Sequence, residues 1–489
     1  MASLDEIRAT RLAKVQLLKD KGMSSYPISA RVDVTLAEAS AQFEKLLKKK
    51  ELYLVGRVMA LRGQGGLVFV DLFDGTGKFQ ALLKKDDIGD ELFDLWSNAV
   101  DMGDFVEVSG TLFLTKRNEK TLQVKKWRML SKSLRPLPEK WHGLTDTEER
   151  FRRRYLDTLM NEEVRNRFVL RSKIISALRA SLDAEGFLEV ETSMLQSLAG
   201  GANAEPFTTH HNALDISLNL RIAPELDLKK LLIGGYPKVY EIGRSFRNEG
   251  IDVTHNPEFT TIEWYEAYSD AEKQRAFIET MFRAIVKQVK GETTITFDGT
   301  AIDFEKPFSV MTYFESLQRY ALIPTPEKAT LDELSLKAKQ LGVSVAPSDS
   351  VQKIMDGIFK KAVRPKLLQP TYVIAYPKGM IPLAKDDEEK EGTVDAFQFY
   401  AGGLELIKAF SELNDPVEQA HRFNTEEGNR KVGDKEAQPN DKDFVEALEY
   451  GMPPAGGVGM GIERLVMLFS DVKNIREVIF FPTLRPKSE

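Results

Sequence analysis

Between Val239 and Tyr268 the chain reads VYEIGRSFRNEGIDVTHNPEFTTIEWYEAY, and several side chains in this stretch could act on one small ligand. Two β-rich runs flank a polar loop containing Gly250, Asp252 and Asn256, the pattern of an antiparallel hairpin with a long connection. Side chains alternate across a strand, so Arg247 and Glu249 are expected on one face of the first run, and Phe259, Glu263 and Tyr265 on one face of the second. A fixed arginine beside a carboxylate, an aromatic plate and a phenol are the parts needed to hold a phosphate, a base and an amine. The alternative is a surface hairpin with ordinary cross-strand charge pairs. A second arginine, Arg464, follows the glycine-rich approach GMPPAGGVGMGIER into an apolar, helix-like run. Small residues at such a turn serve either a ligand or helix packing.

Positioning these groups takes more than one domain. A chain of 489 residues with 42% hydrophobic content is too long for a single ordinary core, and two or three globular units are expected. Residues 4–22 carry apolar positions at helical spacing, and a second helix is expected over 36–50. From Leu52 to about Ser131 the texture changes to the β-rich runs LYLVGRVMAL, GLVFVDLFD, KFQALLKK, DFVEVSGTLFL and TLQVKKWRML, broken by Gly, Asp and Asn. Five such strands fit a small barrel of the oligonucleotide-binding type. LRPLPEKWHG reads as a linker. The expected organisation is a helical extension over 1–50, a barrel over 51–133, a linker over 134–148 and a mixed α+β domain over 149–489.

Composition removes some classes. Lys and Arg number 68 against 74 Asp and Glu, a formal charge of -6, so contact with nucleic acid requires a local basic surface rather than a bulk excess. Arg150, Arg152, Arg153 and Arg154 form one such cluster, which suits RNA, a solvated face or an intersubunit contact. With no cysteine, disulfides, thiolate metal sites and cysteine nucleophiles are excluded, and a reducing compartment is suited. The first residues hold charges throughout and no later run is long enough to span a bilayer, so a cytoplasmic protein is expected.

The order of the residues adds a resemblance. FRNEG followed by HNPEFT resembles motif 2 of the class II aminoacyl-tRNA synthetases, GMGIER resembles their motif 3, and the closing IREVIFFPTLRP is typical of their lysine, aspartate and asparagine branch, class IIb. RIAPEL at 221–226, GGANAEPF at 200–207 and LELIKAFSELNDP at 404–416 are similar to the lysine members, and the likeness runs from the first helix to TLRP. It implies an N-terminal five-stranded OB-fold barrel, a catalytic domain built on an antiparallel sheet flanked by helices, and a homodimer. The implied reaction is ATP-dependent activation of L-lysine to an adenylate and transfer to the 3′ end of tRNA(Lys), without a covalent nucleophile. Neither a membrane nor DNA is an implied partner.

The resemblance also assigns residues. It implies that Arg247 grips the α-phosphate and the substrate carboxylate, that Glu249, His255 and Asn256 contact ATP, that Phe259 stacks on adenine, and that Arg464 lies against the far phosphates, Arg247 and Arg464 being the catalytic pair. Mg²⁺ is implied at Gln398 and Glu405, the latter also facing ATP. Glu225 and the Gly200 backbone are placed at the α-ammonium of lysine, Glu412 and Tyr265 at its ε-ammonium, with Glu263, Lys408, Phe410 and Gly459 lining the pocket. A substrate with two ammonium groups needs at least two buried acceptors, since an unpaired buried charge is strongly destabilising. In the barrel, the run GRVMALRGQGGLVFVDLFDGTGKFQ at 56–80 implies an anticodon face of Arg62, Phe69 and Gln80, which suits stacking and base-edge contacts to single-stranded RNA.

Several positions depart from the family pattern. Gln398 stands where an acidic metal ligand is usual, which predicts a weaker or rearranged metal set. Lys408 stands where an asparagine binds the substrate carboxylate; it either pairs with that carboxylate or repels the ammonium and shifts selectivity. Ser193, Ala199, Glu205 and Asp227 replace a proline, a proline, an arginine and a tyrosine. The rival expectations are a class IIb enzyme or paralogue with altered amino-acid choice, and an inactive synthetase-like RNA-binding protein.

Overall fold

In the computed structural model, which describes residues 3–138, 144, 146–346, 349–431 and 437–487, the chain divides into two compact units, Met1–Leu144 and Thr145–Glu489. Of the linker expected over 134–148, residues 139–143 and 145 lie outside the described residues.

The first unit opens with helix Leu4–Asp20, started by a capping box in which the Ser3 hydroxyl accepts the Glu6 N–H and the Glu6 carboxylate accepts the Ser3 N–H. The helix expected over 36–50 is two pieces, Leu36–Ala41 and Phe43–Leu46, interrupted at Gln42. Both lay apolar residues, Leu36, Ala39, Phe43 and Leu46, into the core of the unit. Five strands, Leu52–Gln64, Leu67–Phe73, Lys78–Lys84, Phe105–Leu114 and Lys120–Ser131, close into a barrel in the order first, second, third, fifth, fourth. Inward residues alternate along each strand, as in Leu52, Leu54 and Val58 or Phe79, Ala81 and Leu83, and closure leaves no free edge.

The second unit is built on an eight-stranded sheet. From one edge to the other its strands are Ser309–Thr312, Thr371–Pro377, Thr393–Ala401, Leu404–Ser411, Ala455–Gly461, Glu258–Ala267, Lys238–Phe246 and Leu188–Glu189. Only the pairings at the two edges are parallel; the central ones are antiparallel. Alternation gives the central strands two distinct faces. Ile407, Ala409, Val458, Met460, Ile262 and Trp264 point to one side and are buried with residues of helices Glu162–Ala184, Ala271–Lys290 and Ile462–Ser470, among them Leu178, Phe282 and Val466. That side carries one core; on the opposite face Val373, Ala396, Tyr400 and Phe410 join a second buried cluster, and the chemistry is left to the trough beside it.

The arginine cluster at 150–154 is engaged within this unit. Arg150 pairs with Asp157 at 3.0 Å, Arg152 and Arg153 with Glu148 and Glu149 one turn earlier, and buried Arg154 with Asp157 at 2.7 Å. The cluster therefore fastens the start of the unit instead of offering free cations to RNA. Among the described residues, no helix is long and apolar enough to cross a membrane.

Candidate active site

Residues directly opposed in antiparallel strands share a face, and the register builds a trough from that rule. One row across the sheet is Gln398, Lys408, Gly459, Glu263; the next is Phe410, Gly457, Tyr265. Strand Ala455–Gly461 thus presents glycine at each of these rows, a floor without side chains. Lys408 and Phe410 rise on one side and Glu263 and Tyr265 on the other. The two glycines are not equivalent. A Cβ on Gly457 would overlap Glu412 Oε1 and the Tyr265 ring, whereas one on Gly459 would meet nothing nearer than Glu263 Cγ at 3.7 Å.

One end of the trough is acidic. Glu225 opens helix Glu225–Ile233, and Lys229 lies one turn on. Lys229 Nζ is 2.7 Å from Glu225 Oε1 and also ion-paired to Glu412 Oε2. Glu412 follows strand Leu404–Ser411 and is anchored by its N–H to Ala455 O at 2.8 Å. Its carboxylate is wholly buried, and Oε1 has no hydrogen-bond partner among the described residues. The Tyr265 hydroxyl donates to Glu263 Oε2 at 3.0 Å. Burial, and after it the charge of Glu225, pushes Glu263 up to about 8, with Tyr265 and Arg247 opposing. Burial likewise pushes Glu412 upward against the pull of Lys229, while Glu225 and Glu412 hold the Lys229 ammonium up against its own burial. Gly200 backs this end: a Cβ there would stand 2.8 Å from Leu226 Cδ1, beside Glu225.

The other end is cationic. The first hairpin strand stops at Phe246, so Arg247 and Glu249 stand in the loop and not on a strand face as their alternation suggested. The Arg247 guanidinium lies 5.1 Å from the ring centroid of Phe259, and its Nε is buried with no partner among the described residues. Enclosure pulls Arg247 below the ordinary arginine value, Glu249 and Glu263 working the other way. Arg464 Nη1 donates to Glu405 O at 3.2 Å and lies 3.7 Å from its carboxylate. Arg464 Nη2 is 3.1 Å from His255 Nε2. Arginine only donates, so Nε2 accepts and Nδ1 carries the proton toward Asp252 Oδ2 at 2.8 Å. Asp252 sits at about 2: burial raises it, but the Thr254 N–H and His255 hold it down. The Asn256 amide donates to Glu258 O at 2.7 Å, leaving a buried Oδ1 without a partner among the described residues.

Lys408 is exposed to the trough and makes no hydrogen bond or ion pair among the described residues. Enclosure lowers its ammonium, with Glu405 and then Glu225 holding it up. Across the pair from it, the Gln398 carbonyl accepts the Tyr400 hydroxyl. Among the described residues, no three His, Asp or Glu side chains converge as a metal cage. The donor set is one carboxylate, Glu405, and one neutral amide. Magnesium is commonly held by one or two carboxylates together with substrate phosphates, and this set fits one such shared ion.

The site also contains residues that the sequence reading passed over. Lys229 had a signal, its spacing of four from Glu225, but that spacing usually marks a surface pair. Asp252, three before His255, could have been read as its orienting partner. Glu463, which accepts the Thr260 N–H at 3.0 Å and pairs with Arg171 at 2.9 Å, ties the hairpin to the helix that carries Arg464; nothing local marks it.

In the barrel, the register puts Arg62 opposite Phe69 and Asp71 opposite Gln80 on one outward face. Phe69 stays half-exposed and outside the core. Arg62 forks onto Asp71 at 2.7 and 3.0 Å and reaches Gln80 at 3.4 Å, and Gln80 donates to Thr121 at 2.8 Å. Asp71 is the member of this group that the sequence reading did not name.

Comparison with known proteins agrees with both units. Residues 146–485 match the family described as tRNA synthetases class II (D, K and N), and residues 52–130 match the OB-fold nucleic acid binding domain. Lysine–tRNA ligase of Moorella thermoacetica is 44% identical over 485 residues, covering 99% of each chain. That of Roseiflexus sp. is 45% identical over 486 residues, again 99% of each, and that of Idiomarina loihiensis 43% over 495 residues, 99% of this chain and 98% of its own. With a glycine-floored trough acidic at one end and cationic at the other, and with similarity of this extent, the chain belongs to the lysine–tRNA ligases of the class II aminoacyl-tRNA synthetase family.

Proposed function

We propose that the protein activates L-lysine with ATP to lysyl-adenylate and passes the lysyl group to the 3′ end of tRNA(Lys). The observation that carries this reading is the polarity of one trough. Glu412 and Glu225 at one end can take the two ammonium groups of lysine, and Arg247 and Arg464 at the other can neutralise its carboxylate and the phosphates of ATP. Attack of a carboxylate on the α-phosphorus requires the anions to be brought together, and Arg247 sits where it can bind both. Phe259 supplies the plate for adenine; Glu249, His255 and Asn256 supply polar contacts, the free Asn256 Oδ1 being able to accept from an amino group. Glu405, with Gln398 on the neighbouring strand, would hold Mg²⁺, which when bound adds charge neutralisation at the phosphates. Lys408 is in the same row as Gly459 and offers an unpaired amine that a substrate carboxylate would hold in its charged form. Arg62, Phe69 and Gln80 would read the anticodon.

The test is ATP–pyrophosphate exchange by the purified protein against the full set of amino acids with magnesium varied, followed by charging of tRNA(Lys). Exchange with lysine alone supports the reading. Exchange with a different amino acid would favour the altered-selectivity alternative, for which the unpaired Lys408 is the specific observation. Assembly as a homodimer in the cytoplasm completes the proposal, the exposed Met194 and Leu195 (44% and 47%) offering apolar surface; light scattering showing a monomer would remove the dimer.

Two further outcomes follow from the trough. Glu263, held at about 8 against 4.5 for a free carboxyl, is neutral at pH 7 and charges as pH rises through 8. Its folded value is raised, so its share of stability is present below about 4.5 and is lost as pH rises through 8. Lysine binding has the opposite slope, because an ammonium prefers the charged carboxylate. The lysine Kd, measured calorimetrically, should fall between pH 6.5 and 8.5 by about tenfold, and Glu263→Gln should flatten that profile; an unchanged profile in the variant removes the assignment. The second outcome separates the glycines. Gly457→Ala should lower both activity and thermal stability, by about 1–3 kcal/mol for the clash, whereas Gly459→Ala should keep its melting temperature and lose activity as its methyl enters the substrate path. Equal melting losses would contradict the geometry.

A further inference from the structure

Two of the carboxylates that line the acidic end are already in use. Lys229 is fully buried, and its ammonium pairs with Glu225 on its own helix and with Glu412 at the end of a sheet strand. The Phe410 ring lies 5.3 Å and the Phe444 ring 5.9 Å from Nζ, and the side chain has no exposure to solvent. A lysine with this surrounding has little freedom, and neither do the carboxylates it holds.

We propose that Lys229 is the positioning residue that sets the length of the amino-acid pocket: its ammonium clamps Glu225 and Glu412, the anchors for the two ammonium groups of the substrate, at a fixed separation. This rests on the lysine reading of the trough. The clamp takes one oxygen of each carboxylate. On Glu412 it leaves Oε1 facing Gly457 and Tyr265, where the substrate side chain ends. One anchor belongs to helix Glu225–Ile233 and the other follows strand Leu404–Ser411, so the ammonium joins the two elements by charge, in addition to the apolar packing of Leu226, Leu228 and Leu232. A substrate one carbon shorter than lysine can then reach one anchor only.

The experiment compares wild type, Lys229→Met and Lys229→Arg by pyrophosphate exchange with lysine and with ornithine, its homologue shorter by one carbon. In wild type, lysine is preferred. In Lys229→Met the lysine-to-ornithine ratio of kcat/KM should fall at least about tenfold, through a higher KM for lysine with kcat changed much less. Lys229→Arg keeps the charge, and therefore the balance needed to fold, but spans a different distance; its ratio should also move, by about threefold or more. A general loss of kcat and stability with the ratio preserved in whichever variant folds means that Lys229 is structural, and overturns the proposal. Wild-type protein without lysine-dependent exchange removes the lysine reading and this proposal together; wild-type exchange with an unmoved ratio in the variants removes this proposal alone.

Discussion

Glu412→Gln is expected to lower kcat/KM for lysine by roughly 30- to 5,000-fold, ~2–5 kcal/mol, the range for truncating one member of a buried charged pair. The side chain is wholly enclosed, so water does not compensate for the missing charge. Glutamine keeps the shape and can still accept through its carbonyl, and the space beside Gly457 is unchanged. What it loses is the attraction for an ammonium, and it leaves Lys229 with Glu225 as its sole carboxylate partner. The loss should fall mainly on KM, because the ε-ammonium takes no part in bond making and its interaction is the same in ground and transition states. Steady-state exchange kinetics would show this, and a lysine KM unaltered by the substitution would place the ε-ammonium elsewhere.

Arg247→Lys should instead act on kcat, reducing it about 10²–10³-fold, the scale seen when one preorganised donor to a transition-state charge is removed. A guanidinium can bind two anions through its fork, whereas an ammonium is a point charge. Arg247 also lies over Phe259, its guanidinium carbon 5.1 Å from the ring centroid, a position that a lysine ammonium on a different stem reproduces poorly. Its buried, unpartnered Nε marks a donor directed at a group the free protein does not supply. Single-turnover formation of the adenylate at saturating ATP and lysine isolates the step. A rate within threefold of wild type would show that charge alone suffices, and that the fork is not used.

The two substitutions separate the halves of the trough, and the distinction follows the charge pattern along it. Burial raises Glu263 and Glu412 and lowers Arg247 and Lys408, with Glu263 and Lys408 flanking the same glycine. Each shift records the cost of enclosing a charged form, a cost that an opposite charge brought by a ligand offsets. On the proposed reading, lysine would bring ammonium groups to the acids and a carboxylate to the bases, offsetting both costs at once.

Much of this was legible before any coordinates. The β-rich runs from Leu52 to Ser131 have alternation strong enough to define five strands, because each residue placed on the wrong face would expose a Leu or Val and bury a Lys. The order of Arg247, Glu263, Tyr265 and Arg464 was carried by the resemblance, and strand alternation alone put Glu263 and Tyr265 on one face. Arg247 and Glu249 were misread as strand residues because the end of a strand is set by pairing partners, and the partner of Phe246 is Glu258, twelve positions away. The arginines at 150–154 could have touched RNA, though a solvated face or an intersubunit contact is the commoner use of such a cluster; their partners Glu148, Glu149 and Asp157 were all nearby in sequence, but only the folded helices show that each is used.

By itself, then, the sequence determined the type of each domain, the order of the motifs and the residue types available to the site, because these depend on local periodicity and on spacing along one strand or helix. Tertiary structure alone decided that Glu225 and Glu412, 187 positions apart, share the ammonium of Lys229, that His255 orients between Asp252 and Arg464, and that Lys408 faces the trough without a partner. The physical reason is that charge state and free hydrogen-bonding capacity depend on what surrounds a group in three dimensions, and a glutamate in water and a glutamate sealed beside a lysine have the same letter.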